Sequence, residues 1–244
     1  MIDYTRNKFY ISSIEQDKIK KYKVLFAGCG IGSNIAECAL RLGFENITLV
    51  DGDKIEYTNL NRQNYNSQDV GKYKTTALRE RLLSISPNAS IHTHNIFLDY
   101  TNVQHILDNH DVAINALDFQ SDIPFYFDEL CQQKNIPVLH PYNIGWATLL
   151  FIISPGGPNL KTISSEHQGF EKRVASYLIN RLDKESASWI IDVLDSYEKK
   201  GQGQSPPQLS VGSWLAGGVC TNILYRLAAG KPVKYFPEFY FLTI

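Results

Sequence analysis

Residues suited to holding phosphate come early in this chain. Gly28, Gly30 and Gly32 alternate with Cys29 and Ile31, between an apolar run from Lys23 to Ala27 and a helix-forming run from Asn34 to Leu42. Glycines in such a turn let the backbone come close to a phosphate, and a helix N-terminus presents unpaired N–H groups to it. Asp51 ends the next apolar run, Ile47 to Val50, 19 residues beyond Gly32. A carboxylate there is placed to bind ribose hydroxyls. Strand, turn, helix and acid together point to nucleotide binding. The dehydrogenase fingerprint would need a glycine where Ser33 stands, which argues against a nicotinamide dinucleotide.

Four blocks extend this reading. Asp51-x-Asp53 leads into Thr58-Asn59-Leu60-Asn61-Arg62-Gln63, then Val70-Gly71-Lys72-Tyr73-Lys74, and later Asn115-Ala116-Leu117-Asp118. In order and spacing they resemble the ThiF/MoeB-type adenylyltransferases, the superfamily that includes the ubiquitin-activating enzymes. The family motifs are D-x-D, S-N-L-x-R-Q, V-G-x-x-K and a strand-terminal D-x-x-D; Thr58 stands in place of Ser and Asn115 in place of the first Asp of the last block. The resemblance covers residues 4–155 closely and Gln208 to Lys231 more loosely. It implies an enzyme that uses ATP and Mg²⁺ to convert a C-terminal carboxylate to an acyl-adenylate, releasing pyrophosphate. It further implies a ubiquitin-like or sulfur-carrier partner ending in glycine, and a homodimer.

The residue types suit that reaction. Attack on the α-phosphorus with pyrophosphate leaving requires cations to meet the phosphate charge. Arg62 and Lys74 supply them, and Asp118 offers a carboxylate for Mg²⁺, directly or through water. Asp53 or Asp51 suits the ribose, Asn59 and Gln63 suit neutral phosphate contacts, and Gly28, Gly30 and Gly32 form the cradle. Tyr4-Thr5-Arg6-Asn7 is similar to the family's R-Y-x-R-Q segment, whose arginine reaches across a dimer to the other subunit's ATP. Arg6 is therefore expected to act in trans. Plainer readings exist for each: Arg62 and Lys74 as surface charges, Asp118 as a helix cap, Asn59 as a turn cap.

The chain also departs from the family. Ala27 and Cys29 fill two glycine positions of its G-x-G-G-x-G motif. Cys29, Cys38, Cys131 and Cys220 contain no C-x-x-C pair, so no zinc site is expected. No cysteine occurs between Cys131 and Cys220, and Cys220 falls in an apolar helix. Adenylation without an internal catalytic cysteine is the expectation. Residues 160–208 hold two amphipathic helices, Phe170 to Arg181 and Ser186 to Glu198, and a linker from Gly201 to Pro207. Relatives cover a carrier's C-terminal tail with this region; a surface helical hairpin fits the sequence equally. Trp146, Trp189 and Trp214 are expected in the core, and His92 and His94 on one solvated strand face.

The elements that must position these residues alternate between strand and helix. Strands are expected at 23–27, 47–50, 91–94, 112–116, 137–140 and 147–153. Helices are expected at 34–42, 75–84, 102–107, 123–134 and 211–227. The tail from Val233 to Ile244 is aromatic and β-prone. The fold class is α/β: a Rossmann-like, mostly parallel sheet with helices on both faces, extended by a β-rich C-terminal part with a helical insert. One domain is expected over 1–244, with an arm at 1–22, a nucleotide-binding half at 23–140 and a carrier half at 141–244. At 244 residues the chain is long enough for a sizeable core.

Composition excludes other classes. Lys plus Arg number 24 against 25 Asp plus Glu, which argues against a DNA binder held by phosphate contacts. The longest apolar run, Thr148 to Ile153, is too short to span a membrane. The first residues lack a signal-peptide layout, and the sparse cysteines fit a reduced, cytoplasmic location. The competing functions are adenylation of a peptide, small-molecule or tRNA carboxylate, an NAD-dependent oxidoreductase, and a non-catalytic scaffold of the same fold.

Overall fold

The computed structural model describes residues 2–200 and 206–243. Residues 201–205, most of the expected linker, lie outside the described residues, as do Met1 and Ile244.

In chain order the elements are α1 (Ser13–Lys21), β1 (Lys23–Ala27), α2 (Gly32–Leu42), β2 (Asn46–Val50), α3 (Lys74–Ile85), β3 (Ser90–His94), α4 (Val103–Ile106), β4 (Val112–Asn115), α5 (Ile123–Gln133), β5 (Val138–Ile144), β6 (Ala147–Ile153), α6 (Phe170–Ile179), α7 (Lys184–Lys200), α8 (Ser210–Ala228) and β7 (Tyr240–Leu242). Local chemistry accounts for their ends. Ser12 and Glu15 form a reciprocal capping box at the start of α1. Gly43, at φ +127°, ends α2. Pro124 enters the first turn of α5, where its missing N–H costs no helical hydrogen bond.

The strands form one seven-stranded sheet in the order β3-β2-β1-β4-β5-β6-β7. The first five are parallel, and β6 and β7 run antiparallel. Alternate residues of the inner strands feed two separate cores. Val24 and Phe26 join Ile47, Leu49, Ile114 and Leu139 against α2, α3 and α8. Leu25 and Ala27 join Ala113, Val138 and Phe151 against α4, α5, α6 and α7. Because both faces are covered, β1, β2 and β4 read in the sequence as near-continuous apolar runs.

Three expectations need correction. β5 runs on to Ile144 because it pairs with β6 until Ile144 meets Ala147. The aromatic tail yields only a three-residue strand; Pro237 within it cannot donate to a ladder. Trp146 and Trp214 are 58% and 50% exposed, not core. Trp146 sits in the β5–β6 turn, and Trp214 projects from the side of α8 opposite Gly212, Ser213 and Ala216. His92 and His94 do share an exposed face, on the edge strand β3. No helix among the described residues is long and apolar enough to cross a membrane.

Candidate functional site

Strand order reverses between β1 and β4, which opens a crevice at their carboxyl ends. The glycine turn follows β1 and the Asp118 loop follows β4, so the two line opposite sides of that crevice.

The turn is shaped by one glycine and left open by two. Gly28 has φ +95°, and a side chain there would run into the Ala116 carbonyl. That backbone approach is what demands glycine. Gly30 faces the Gln63 amide, 3.3 Å from where a Cβ would stand, and at Gly32 only Phe26 comes near, at 3.7 Å. Gly30 and Gly32 therefore keep space open rather than strain low. Cys29 is fully buried, and burial, with Asp51 beside it, raises its thiol pKa. α2 starts at Gly32 with no side chain capping its N-terminus. An uncapped helix N-terminus suits an anion.

The two acids after β2 differ in work. Asp51 accepts from the Cys29 N–H at 2.7 Å and from the Asp53 N–H at 2.8 Å. Burial pushes its carboxyl up, against the pull of Lys74 and these two N–H groups. Asp53 is half exposed and receives the Lys74 ammonium at 2.7 Å. Asp51 thus shapes the turn, and Asp53 presents the accessible carboxylate. The Phe97 ring covers the glycine between them, 2.6 Å from where a Gly52 Cβ would stand, and remains 68% exposed.

Lys74 opens α3 and is buried. Burial alone would lower its pKa, but Asp51, Asp53 and Asp118 together hold it above the ordinary value. It therefore stays charged beside these three carboxylates. Arg62 donates to the Thr58 carbonyl at 2.7 Å and the Asn61 side chain at 2.8 Å, and its Nε reaches Gln208 just before α8. Burial lowers the Arg62 pKa and Asp118 opposes that. Gln63 keeps a buried Oε1 without a hydrogen-bond partner among the described residues. Asn59 uses its side-chain oxygen to cap the Tyr57–Asn59 turn, accepting from Glu56 N–H at 3.0 Å. The plainer reading of Asn59 thus holds for that oxygen.

Asp118 keeps accessible surface, yet the protein packed around it pushes its carboxyl up. Glu171 and Asp53 add to the rise, while Lys74 and Arg62 pull it down. It is not the cap of α5, whose N-cap is Asp122. Glu171, in the first turn of α6, accepts from the Phe119 N–H at 3.4 Å. Phe170 packs against Phe119 and Phe125 at ring-centroid distances of 4.3 and 5.0 Å. The helical insert therefore touches the Asp118 loop. No short-range sequence signal marks Glu171, which lies 53 residues beyond Asp118; Phe97 is visible only as one apolar residue in a polar loop.

Gly28, Gly30, Gly32, Asp51, Asp53, Asn59, Arg62, Gln63, Lys74 and Asp118 are carried by the elements and loops at this crevice. Arg6 is not among them. It is exposed, in the Thr5–Asn7 turn, whose neighbours Tyr4 and Asn7 bond to Leu40 and Leu42 at the far end of α2. Cys29, Cys131 and Cys220 are buried; Cys38 is partly buried.

The chain matches the ThiF family over residues 4–242. It is 33% identical over 109 residues to a probable molybdopterin-synthase adenylyltransferase of Gracilaria tenuistipitata var. liui, covering 43% of this chain and 31% of that protein. It is 27% identical over 161 residues to the sulfur carrier protein ThiS adenylyltransferase of Bacillus subtilis (strain 168), covering 63% of this chain and 47% of that protein. The chain thus spans less than half of either curated relative. In fold it is similar to E. coli MccB crystallised with ATP, at a TM-score of 0.69 and 22% identity, over 95% of this chain and 66% of that one.

Proposed function

Because this chain belongs to the ThiF family, we propose that it is an ATP-dependent adenylyltransferase acting on the C-terminal carboxylate of a ubiquitin-like or sulfur-carrier protein ending in glycine. One observation carries the reading. Lys74, raised in pKa and buried, stands with Arg62, Asp53 and Asp118 beside an uncapped helix N-terminus at the switch point of the sheet.

In this reading the ribose binds Asp53 and the base lies against Phe97. The triphosphate runs along the glycine turn, with Lys74, Arg62, Asn59 and the Gln63 Nε2 amide, which faces Gly30, around it. The substrate carboxylate oxygen attacks the α-phosphorus, the bond to the β-phosphate oxygen breaks, and pyrophosphate leaves. Lys74 and Arg62 meet the charge that gathers on the phosphates in the transition state. Mg²⁺ fits the donor set: it keeps several waters and takes one or two carboxylates beside substrate phosphates. Asp118 would hold it; among the described residues no three His, Cys, Asp or Glu side chains form a cage. When bound, the ion supplies further neutralisation of phosphate charge.

Arg6 serves the neighbouring subunit's site in a homodimer, since it lies at the far end of α2 from its own glycine turn. The acyl-adenylate passes to an outside nucleophile, because Cys29, Cys131 and Cys220 are buried with burial raising each thiol pKa, and Cys38 sits in the later half of α2 against Gly217 of α8.

The test is ATP binding by calorimetry, with NAD as control, followed by ATP–pyrophosphate exchange. ATP binds and NAD does not. Lys74→Ala weakens ATP by about 1.5–3 kcal/mol, the usual worth of a hydrogen bond to a charged group. Exchange requires a carrier ending in glycine. Exchange with a short peptide alone would move the substrate to the peptide class, and no ATP binding would leave a scaffold.

A further inference from the structure

We infer that Tyr65 is a positioning residue that sets the span between the glycine turn and Lys74. The argument begins with two residues that are each gripped twice. The Cys29 N–H donates to Asp51 Oδ2 at 2.7 Å. The Lys74 N–H donates to the Asp53 carbonyl at 3.0 Å, and its Nζ to Asp53 Oδ2 at 2.7 Å. The carbonyls of the same two residues meet a single hydroxyl. Tyr65 O–H donates to the Cys29 carbonyl at 2.7 Å and lies 3.3 Å from the Lys74 carbonyl. Asp51 and Asp53 hold one side of the pair, and Tyr65 the other.

Tyr65 suits this work. It is 9% exposed, and burial, with Cys29 and Asp51 nearby, holds its phenol pKa far above the ordinary value, so it stays a donor. Its neighbour fastens the same segment. The Asn64 N–H donates to Ser33 Oγ at 2.9 Å, and Ser33 Oγ donates to the Gly30 carbonyl at 2.6 Å. Asn64 Nδ2 donates to Glu37 at 2.6 Å, and Glu37 also receives Arg41 and Arg81. Four consecutive residues thus divide their labour: Arg62 and Gln63 serve the crevice, while Asn64 and Tyr65 lock the loop to the turn beneath. A buried hydroxyl that spaces a cation from a phosphate cradle does its work before the ligand arrives, which is preorganisation.

The inference rests on the nucleotide reading, and the experiment separates the two. ATP and adenosine are titrated into wild type, Tyr65→Phe and Ile152→Val, a core variant on β6, two strands along from β4, with thermal midpoints measured for all three. Tyr65→Phe keeps the ring and removes the hydroxyl. Its Kd for ATP rises about tenfold, the fold-change of one buried hydrogen bond. Its Kd for adenosine moves by less than about twofold, because the frame orders the groups that meet phosphate. Equal ATP affinity in Tyr65→Phe and wild type overturns the inference. So does equal weakening of ATP and adenosine, or an equal loss of ATP affinity in Ile152→Val, since either marks general destabilisation. If wild type binds no ATP, the nucleotide reading fails first and the inference with it.

Discussion

The two rims of the crevice are built from different interactions. On the glycine-turn rim, short polar bonds bind backbone to side chain: Asp51 to Cys29, Ser33 to Gly30, Asn64 to Ser33, Tyr65 to Cys29. On the Asp118 rim, Asn115 beneath the loop is bonded to the buried Asp128–His140 pair, but the contact with α6 is mostly aromatic, through Phe119, Phe125 and Phe170, with one 3.4 Å hydrogen bond from the Phe119 N–H to Glu171. Beyond it the Arg62–Gln208 bond is exposed. Directed hydrogen bonds fix the distance and angle of the atoms they join, whereas buried rings hold an element by close packing with little direction. The difference teaches how each rim would fail: the glycine-turn rim by loss of a single polar group, the Asp118 rim by loss of buried volume.

The largest expected effect breaks the glycine-turn rim. Gly28→Ala places a side chain in the left-handed region and against the Ala116 carbonyl. Strain and overpacking together cost on the order of 5 kcal/mol, comparable with the stability of many domains. The variant is expected to be unfolded at room temperature by circular dichroism; a folded variant would show that β1 and β4 can part, and the rim is not rigid.

Phe170→Ala tests the other rim. If α6 is part of the core, urea unfolding reads a loss of about 3–5 kcal/mol, while ATP affinity changes little because the glycine turn is untouched. A loss under about 1 kcal/mol would make the insert a detachable surface hairpin.

Glu37→Gln sharpens the comparison most finely. Glu37 is buried, and burial alone would raise its pKa above the ordinary 4.5, but Arg81, Asn64 and Arg41 more than offset this and lower it. A carboxyl with a depressed folded pKa contributes stability that is present above pH 4.5 and lost as pH falls through the folded value. The variant is expected to be less stable by about 1–3 kcal/mol at neutral pH. Its stability converges on that of wild type as acid is added. Parallel curves at all pH values would mean that Glu37's charge contributes nothing to the rim.

The asymmetry between the rims also explains what was legible beforehand. Strands β1, β2 and β4 and helices α2 and α3 stand out because apolar runs, a Gly C-cap and a 3.6-residue period are local signals. The glycines, both acids, Arg62, Lys74 and Asp118 fall on the loops at the carboxyl ends of those strands or on the first residues of the helices that follow, so their placement at the crevice follows from the order of the elements. The division of labour between Asp51 and Asp53 did not. It depends on which carboxylate oxygen meets the Cys29 N–H, a contact across 22 positions. Trp146 and Trp214 depart from the expected core for a related reason: exposure depends on which side of a turn or helix another element covers, and composition carries no such information.

What the sequence alone determined was the order of elements, the parallel sheet and the residue types able to handle phosphate, since these depend on periodicity, turn chemistry and charge over a few neighbouring positions. What only the tertiary structure decided was the pairing of distant groups. Tyr65 bridging Cys29 and Lys74, Glu171 reaching the Asp118 loop and Gln208 meeting Arg62 join residues separated by up to 146 positions. Such contacts arise where the packing of two cores on one sheet brings loops together, and that depends on the sum of all the buried surfaces rather than on any stretch of chain.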